Sequence, residues 1–120
     1  MDISATYQVA RKLMDEGKSE EAIVLFKQNV EIEPHFKDLE LMGECLIRLG
    51  RLTEAIVPLA AATTLNKGVR APRLLAELYL QMGNMHEAKE IAEIALSRAP
   101  NNRKSLEIHA IANQSIGLLD

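Results

Sequence analysis

Apolar residues recur three and four positions apart along almost the whole chain, as in Val9 and Leu13, and then Ala22, Phe26 and Val30. That spacing gathers them on one face of a helix. Glycine, proline and short polar stretches interrupt the runs, and the pattern predicts helices at roughly 3–16, 19–32, 36–49, 52–66, 70–82, 85–98 and 102–116. Gly17, Gly50 and Gly83 each follow such a run, where a left-handed residue closes a helix and a side chain would be strained. Ser19, followed by Glu20 and Glu21, reads as the N-cap of the second helix. Pro34 and Pro100 stop the helices at 19–32 and 85–98, and Asn66, Lys67 and Gly68 supply turn chemistry where a third proline is missing. Pro58 falls inside the fourth helix, so a mild kink is expected there. Starting that helix at Pro58 would instead leave Thr53 to Val57 as a loop and break the period of the chain.

That period is 33 residues. It is carried by Gly17, Gly50 and Gly83, by Ala22, Ala55 and Ala88, and by Glu21, Glu54 and Glu87. The same register holds large side chains at Leu13, Leu46 and Tyr79 and small ones at Ala10, Gly43, Ala76 and, after a step of 34, Ala110; Gly117 also follows Gly83 by 34. Two helices fit into each period, so each unit is a helical hairpin. Small residues let its two backbones approach, and large ones fill the gaps beside them. Enlarging Ala55 to Leu should therefore overpack a hairpin by roughly 1–3 kcal/mol.

Composition narrows the possibilities. The 120 residues are 48% apolar and 26% charged, which suits one soluble domain able to bury a core, but only 3% are aromatic, so small and aliphatic side chains must fill it. A formal charge of −3 gives no basic excess for phosphate neutralisation, and nucleic acid is not expected as a partner. Cys45 is the sole cysteine, the first residues lack a signal-peptide apolar run, and no stretch reaches the length of a membrane span. A cytoplasmic protein without membrane insertion is the expectation.

No residue pattern offers chemistry. His35, His86 and His109 lie in different units without a second ligand at metal spacing. His35 and His86 read as surface residues at helix ends, and His109 as a packed position. Cys45 reads as a structural thiol. A phosphate-binding glycine loop, a nucleophile elbow and a paired metal motif are all missing from the sequence. The expectation is a non-enzyme with no catalytic residue, cofactor or metal.

The periodic residues resemble the tetratricopeptide repeat family: Val9, Ala10, Leu13, Ala22, Phe26 and Pro34 in the first unit; Leu39, Met42, Gly43, Leu46, Ala55, Leu59 and Ala62 in the second; Leu75, Ala76, Tyr79, Ala88, Ala95 and Pro100 in the third. The resemblance covers nearly the whole chain. Thr6 and Pro72 depart from it where the family prefers a bulky aromatic, Asn29 where it prefers Ala, and Ala92 where it prefers a large residue, which suggests looser packing around the third unit. The resemblance implies an all-α fold, a right-handed superhelix (α-solenoid) of antiparallel helical hairpins with about 3.5 repeats and seven helices. Residues 1–120 then form a single repeat domain, with repeats at about 3–35, 36–68 and 69–101 and a partial repeat at 102–120.

It also implies a concave groove lined by the first helix of each unit. Carried over by register, the peptide-groove residues are Tyr7, Arg11 and Met14 in the first unit and Lys37, Glu40, Glu44, Ile47 and Arg48 in the second. In the third they are Arg70, Arg73, Glu77 and Leu80, with Lys104 and Glu107 on the last helix. Basic residues outnumber acidic ones in this set although the whole chain is acidic, which points to an acidic peptide or a C-terminal carboxylate. Ordinary solvated charge explains the bias as well. Relatives that grip chaperone tails use Lys and Asn, then Asn, then Lys and Arg. Here Tyr7, Arg11, Leu41 and Leu74 stand at four of those places and only Arg70 fits.

The resemblance thus implies a scaffold that binds a peptide or helix of another protein. The alternative is an N-terminal docking or oligomerisation arm of a larger enzyme, such as a transferase. Gly117, Leu118, Leu119 and Asp120 read as the start of a further turn, with Ile108, Ile111 and Ile116 crowding the same stretch. This suggests the N-terminal part of a longer repeat protein, or self-association through the C-terminal end with Leu118 and Leu119 as donor.

Overall fold

The computed structural model describes residues 2–119, and the regular structure among them is helical: α1 (Ile3–Asp15), α2 (Ser19–Ile32), α3 (Phe36–Arg48), α4 (Leu52–Leu65), α5 (Arg70–Gln81), α6 (Met85–Arg98) and α7 (Arg103–Leu119). Helices α1 to α4 belong to one compact unit reaching to Asn66, and α5 to α7 to a second that begins at Lys67. In the first unit, α3 packs against both α2 and α4. In the second, α6 packs against α5 and α7.

The three periodic glycines make one turn three times. Gly17, Gly50 and Gly83 have φ of 80°, 75° and 79°, and no other described residue has positive φ. Gly17 N–H donates to Met14 O at 3.0 Å and Lys18 N–H to Leu13 O at 2.8 Å; the Gly50 and Gly83 turns repeat this pair of bonds. The pattern satisfies carbonyls left open at a helix C-terminus.

So tight a turn brings in the next helix without a side-chain cap: Lys18, Arg51 and Asn84 precede α2, α4 and α6 with no capping hydrogen bond. The assignment of Ser19 as N-cap is therefore corrected. Ser19 is the first residue of α2 and is buried, with its hydroxyl near the Cys45 thiol. Glu20, Glu21, Glu54 and Glu87 lie in the first turns of these helices and complement their positive ends. Pro58 lies within α4, which runs unbroken from Leu52 to Leu65.

Close approach within the first unit is set by Gly43. A Cβ there would meet Leu59 Cγ at 2.6 Å and Cδ2 at 2.7 Å, so α3 and α4 touch where the sequence carries no side chain. Ala10, Met14, Ala22, Phe26 and Cys45 form the neighbouring core, and Tyr7 packs edge-on against Phe26 with ring centroids 6.1 Å apart. Asn29, the departure from a small residue, is buried and hydrogen-bonded. Its Nδ2 donates to Ile3 O and to Asp38 Oδ1, both at 2.9 Å, linking the starts of α1 and α3 through α2. In the second unit Ala92 is buried beside Ala76 and Ile108, with Leu80 and Ile91 packed on them, so aliphatic neighbours close over the small residue.

The last helix keeps the 33-residue step, which corrects the reading of 34. Its buried positions are Ser105, Ile108 and Ala112, each 33 beyond Pro72, Leu75 and Tyr79, whereas Ala110 is exposed. Gly117 lies inside α7, so no turn begins there. Ile111 and Leu118 are exposed and Ile116 half-buried. The side chain of Leu119 and all of Asp120 lie outside the described residues.

Candidate functional site

Residues able to meet a ligand are those the helices hold on their surfaces. In the first unit Arg11, Lys37 and Arg48 are exposed, and Tyr7, Glu44 and Ile47 are half-buried. Neither Arg11 nor Lys37 forms an ion pair among the described residues. Arg48 Nη1 donates to Met14 O at 3.3 Å, tying α3 to the C-terminal end of α1, where a cation also suits the helix dipole.

Three expected groove residues sit elsewhere. Met14, at 4% exposure, belongs to the core of the first unit, where an unbranched thioether fills the space beside Ala10 and Phe26. Glu40 is 7% exposed and presents little surface. Leu80 packs on the Ala76, Ala92 and Ile108 cluster.

In the second unit Arg73 Nη1 lies 3.6 Å from Glu77 Oε2 on the same helix, and Arg70 is half-buried. Lys104 and Glu107 are exposed, and Glu107 pairs with Arg103 at 3.5 Å. On the 33-residue step the counterparts of Arg70 and Arg73 are Arg103 and Leu106, one residue before Lys104 and Glu107. The 34-residue register therefore displaced these two assignments.

His35, His109 and Cys45 are engaged in structure, whereas His86 is exposed. His35 caps α3, its Nδ1 accepting from Lys37 N–H at 3.1 Å, while its ring stacks on Phe36. His109 Nε2 lies 3.1 Å from Glu93 Oε2, joining α7 to α6. Burial pushes the Cys45 thiol above its ordinary value, against the opposing pull of the Arg48 charge. The described residues contain no group of three or more His, Cys, Asp or Glu placed to hold a metal, and no helix among them is long and apolar enough to cross a membrane.

One concavity lies wholly within the first unit. A cavity of about 370 Å³ is lined by Ile3, Ser4, Tyr7 and Gln8 from α1 and by His35, Lys37 and Asp38 at the start of α3. Sequence reasoning found Tyr7 and Lys37 through the repeat register. It missed Asp38, whose relevance depends on Asn29 from another helix.

The Tetratricopeptide repeat family matches residues 13–68 and again residues 74–102, together well over half of the chain. The chain belongs to the tetratricopeptide repeat family. Solved structures agree with its all-α helical-repeat fold. The first TPR of Spaghetti (RPAP3), bound to an HSP90 peptide, matches with a TM-score of 0.89 at 20% identity, covering 96% of this chain and 93% of that one. MamA matches with a TM-score of 0.91 at 23% identity over 98% of this chain and 70% of its own. The Yersinia enterocolitica type III secretion chaperone SycD, in complex with a peptide of the translocator YopD, gives 0.78 at 22% identity over 92% and 86%. At these identities the likeness establishes the fold. No curated protein matches the chain in sequence.

Proposed function

We propose that this tetratricopeptide repeat chain is a non-catalytic scaffold that holds a short segment or helix of a partner protein against its first helices. The observation that carries the reading is the free positive charge there: Arg11 on α1 and Lys37 on α3 are exposed without an ion pair among the described residues, on the helices that also carry the half-buried Tyr7 and Ile47. Charge-assisted contacts to carboxylates around an apolar anchor are the expected mode, so the partner segment is acidic in part. Peptides held by Spaghetti (RPAP3) and by SycD lend support from related folds. The chaperone-tail clamp itself is not adopted, because Arg70 alone stands at one of its positions.

The test is selection from a display library of short peptides, comparing the parent chain with an Arg11→Glu, Lys37→Glu variant of unchanged helicity. Acidic peptides enriched by the parent and lost by the variant support the reading. Equal enrichment by both, or none by either, refutes it.

A further inference from the structure

We infer that the cavity of the first unit is a receptor for a positively charged side chain, an arginine of the partner segment, with Asp38 as its acceptor. The inference deepens the scaffold reading and reverses the expected sign of charge at one point.

Asp38 is only 2% exposed, yet it lines the cavity. Its Oδ1 accepts from Asn29 Nδ2 at 2.9 Å, and Oδ2 has no hydrogen-bond partner among the described residues. Since no fully buried side-chain nitrogen or oxygen among those residues is left without a partner, Oδ2 retains some accessible surface, and Asp38 is one of the residues that line the cavity. A carboxylate so placed is poorly hydrated and has unused lone pairs, a combination that favours a cationic donor and opposes an anion. Asn29 also bonds Ile3 O, so the acceptor is held in place before any ligand arrives.

The walls suit arginine. Tyr7 is steadied edge-on by Phe26 and offers an aromatic surface for a guanidinium, and Ile3 offers an apolar surface for its methylene stem. A planar fork fits the remaining lone pairs of a carboxylate better than an ammonium does. His35 accepts through Nδ1, which leaves Nε2 as the ring atom able to donate to a carbonyl of the bound segment. Exposed Lys37 then matches an acidic residue beside the arginine, which agrees with a partly acidic partner.

The probes are N-acetyl-arginine methylamide, its neutral isostere N-acetyl-citrulline methylamide, and N-acetyl-glutamate methylamide, titrated into the whole ¹⁵N-labelled chain. Arginine should shift the Asn29 side-chain amide and the Lys37 backbone amide to saturation, citrulline should bind about tenfold more weakly or worse, and glutamate should leave both signals in place. Asp38→Asn keeps an oxygen for Asn29 Nδ2 and should abolish the preference for arginine over citrulline. Should that variant lose helicity, Tyr7→Leu, which keeps apolar bulk against Phe26, should weaken arginine binding alone.

Citrulline binding as tightly as arginine, preference for glutamate, or no saturation up to about 50 mM would overturn the inference. The two readings fail separately: loss here leaves the dependence of peptide selection on Arg11 and Lys37 standing, and failure of the peptide selection leaves saturation by the arginine probe intact.

Discussion

Placing a methyl group at Gly43 tests the packing of α3 on α4. The new Cβ would lie 2.6 Å from Leu59 Cγ and 2.7 Å from Cδ2, and Leu59 is fully buried. Carbon atoms are comfortable at roughly 3.5–4.0 Å, so a displacement of about 1 Å must be absorbed by Leu59 or by the helix pair. The branch atom Cγ cannot move without rotation of the whole side chain. Overpacking of this kind costs about 1–3 kcal/mol, whereas alanine favours a helix interior over glycine by about 1 kcal/mol. Gly43→Ala should therefore destabilise the chain by about 1 kcal/mol, read from urea denaturation followed by circular dichroism. The decisive comparison is in a Leu59→Ala background, itself about 2–5 kcal/mol less stable. There the clashing atoms are gone, and Gly43→Ala should stabilise by up to about 1 kcal/mol. An effect of the same sign and size in both backgrounds, within about 0.5 kcal/mol, would refute the close contact.

Other perturbations address separate features. Gly50→Ala meets nothing within 4 Å, so its cost is conformational alone, about 1–2 kcal/mol at φ 75°; a D-alanine at that position should recover it in a thermal melt. Asn29→Ala removes both bonds to Ile3 O and Asp38 Oδ1 and should lower stability by about 2–3 kcal/mol; a melting temperature equal to the parent's would show the network to be idle. The raised thiol of Cys45 has a signed consequence. Above the ordinary value of 9.0 the unfolded chain loses the proton that the folded chain keeps, so stability falls as pH rises through that window. Cys45→Ala should flatten this slope in denaturation curves taken from pH 8 upward.

What was legible in the sequence was whatever local backbone geometry demands. Gly17, Gly50 and Gly83 each occupy a left-handed position that a side chain would strain, so their spacing announced the turns and the helices between them. Gly117 has no such duty inside α7, and reading it as a fourth turn shifted the last register by one residue, carrying Ala110, Lys104 and Glu107 with it. Ser19 has the chemistry of a cap but lies buried within the first turn of α2, near Cys45, 26 positions away; Met14 falls in a groove register but fills the core. Asn29 was visible only as a departure from the repeat. Its partners, Ile3 and Asp38, stand 26 and 9 residues away, beyond the reach of helical periodicity. Local rules thus located the helices, while the chemistry of the candidate cavity arose from contacts among three of them.

The threefold identical turn makes the chain modular in length. Because the donor and acceptor pattern at Gly17, Gly50 and Gly83 is the same, cutting after one glycine and rejoining after another removes 33 residues yet restores the same bonds at the junction. Duplication adds a hairpin by the same arithmetic. An insertion of one or two residues enjoys no such protection, since it rotates every following side chain about its helix axis. Length in such a chain is quantised, with the hairpin as its unit of exchange.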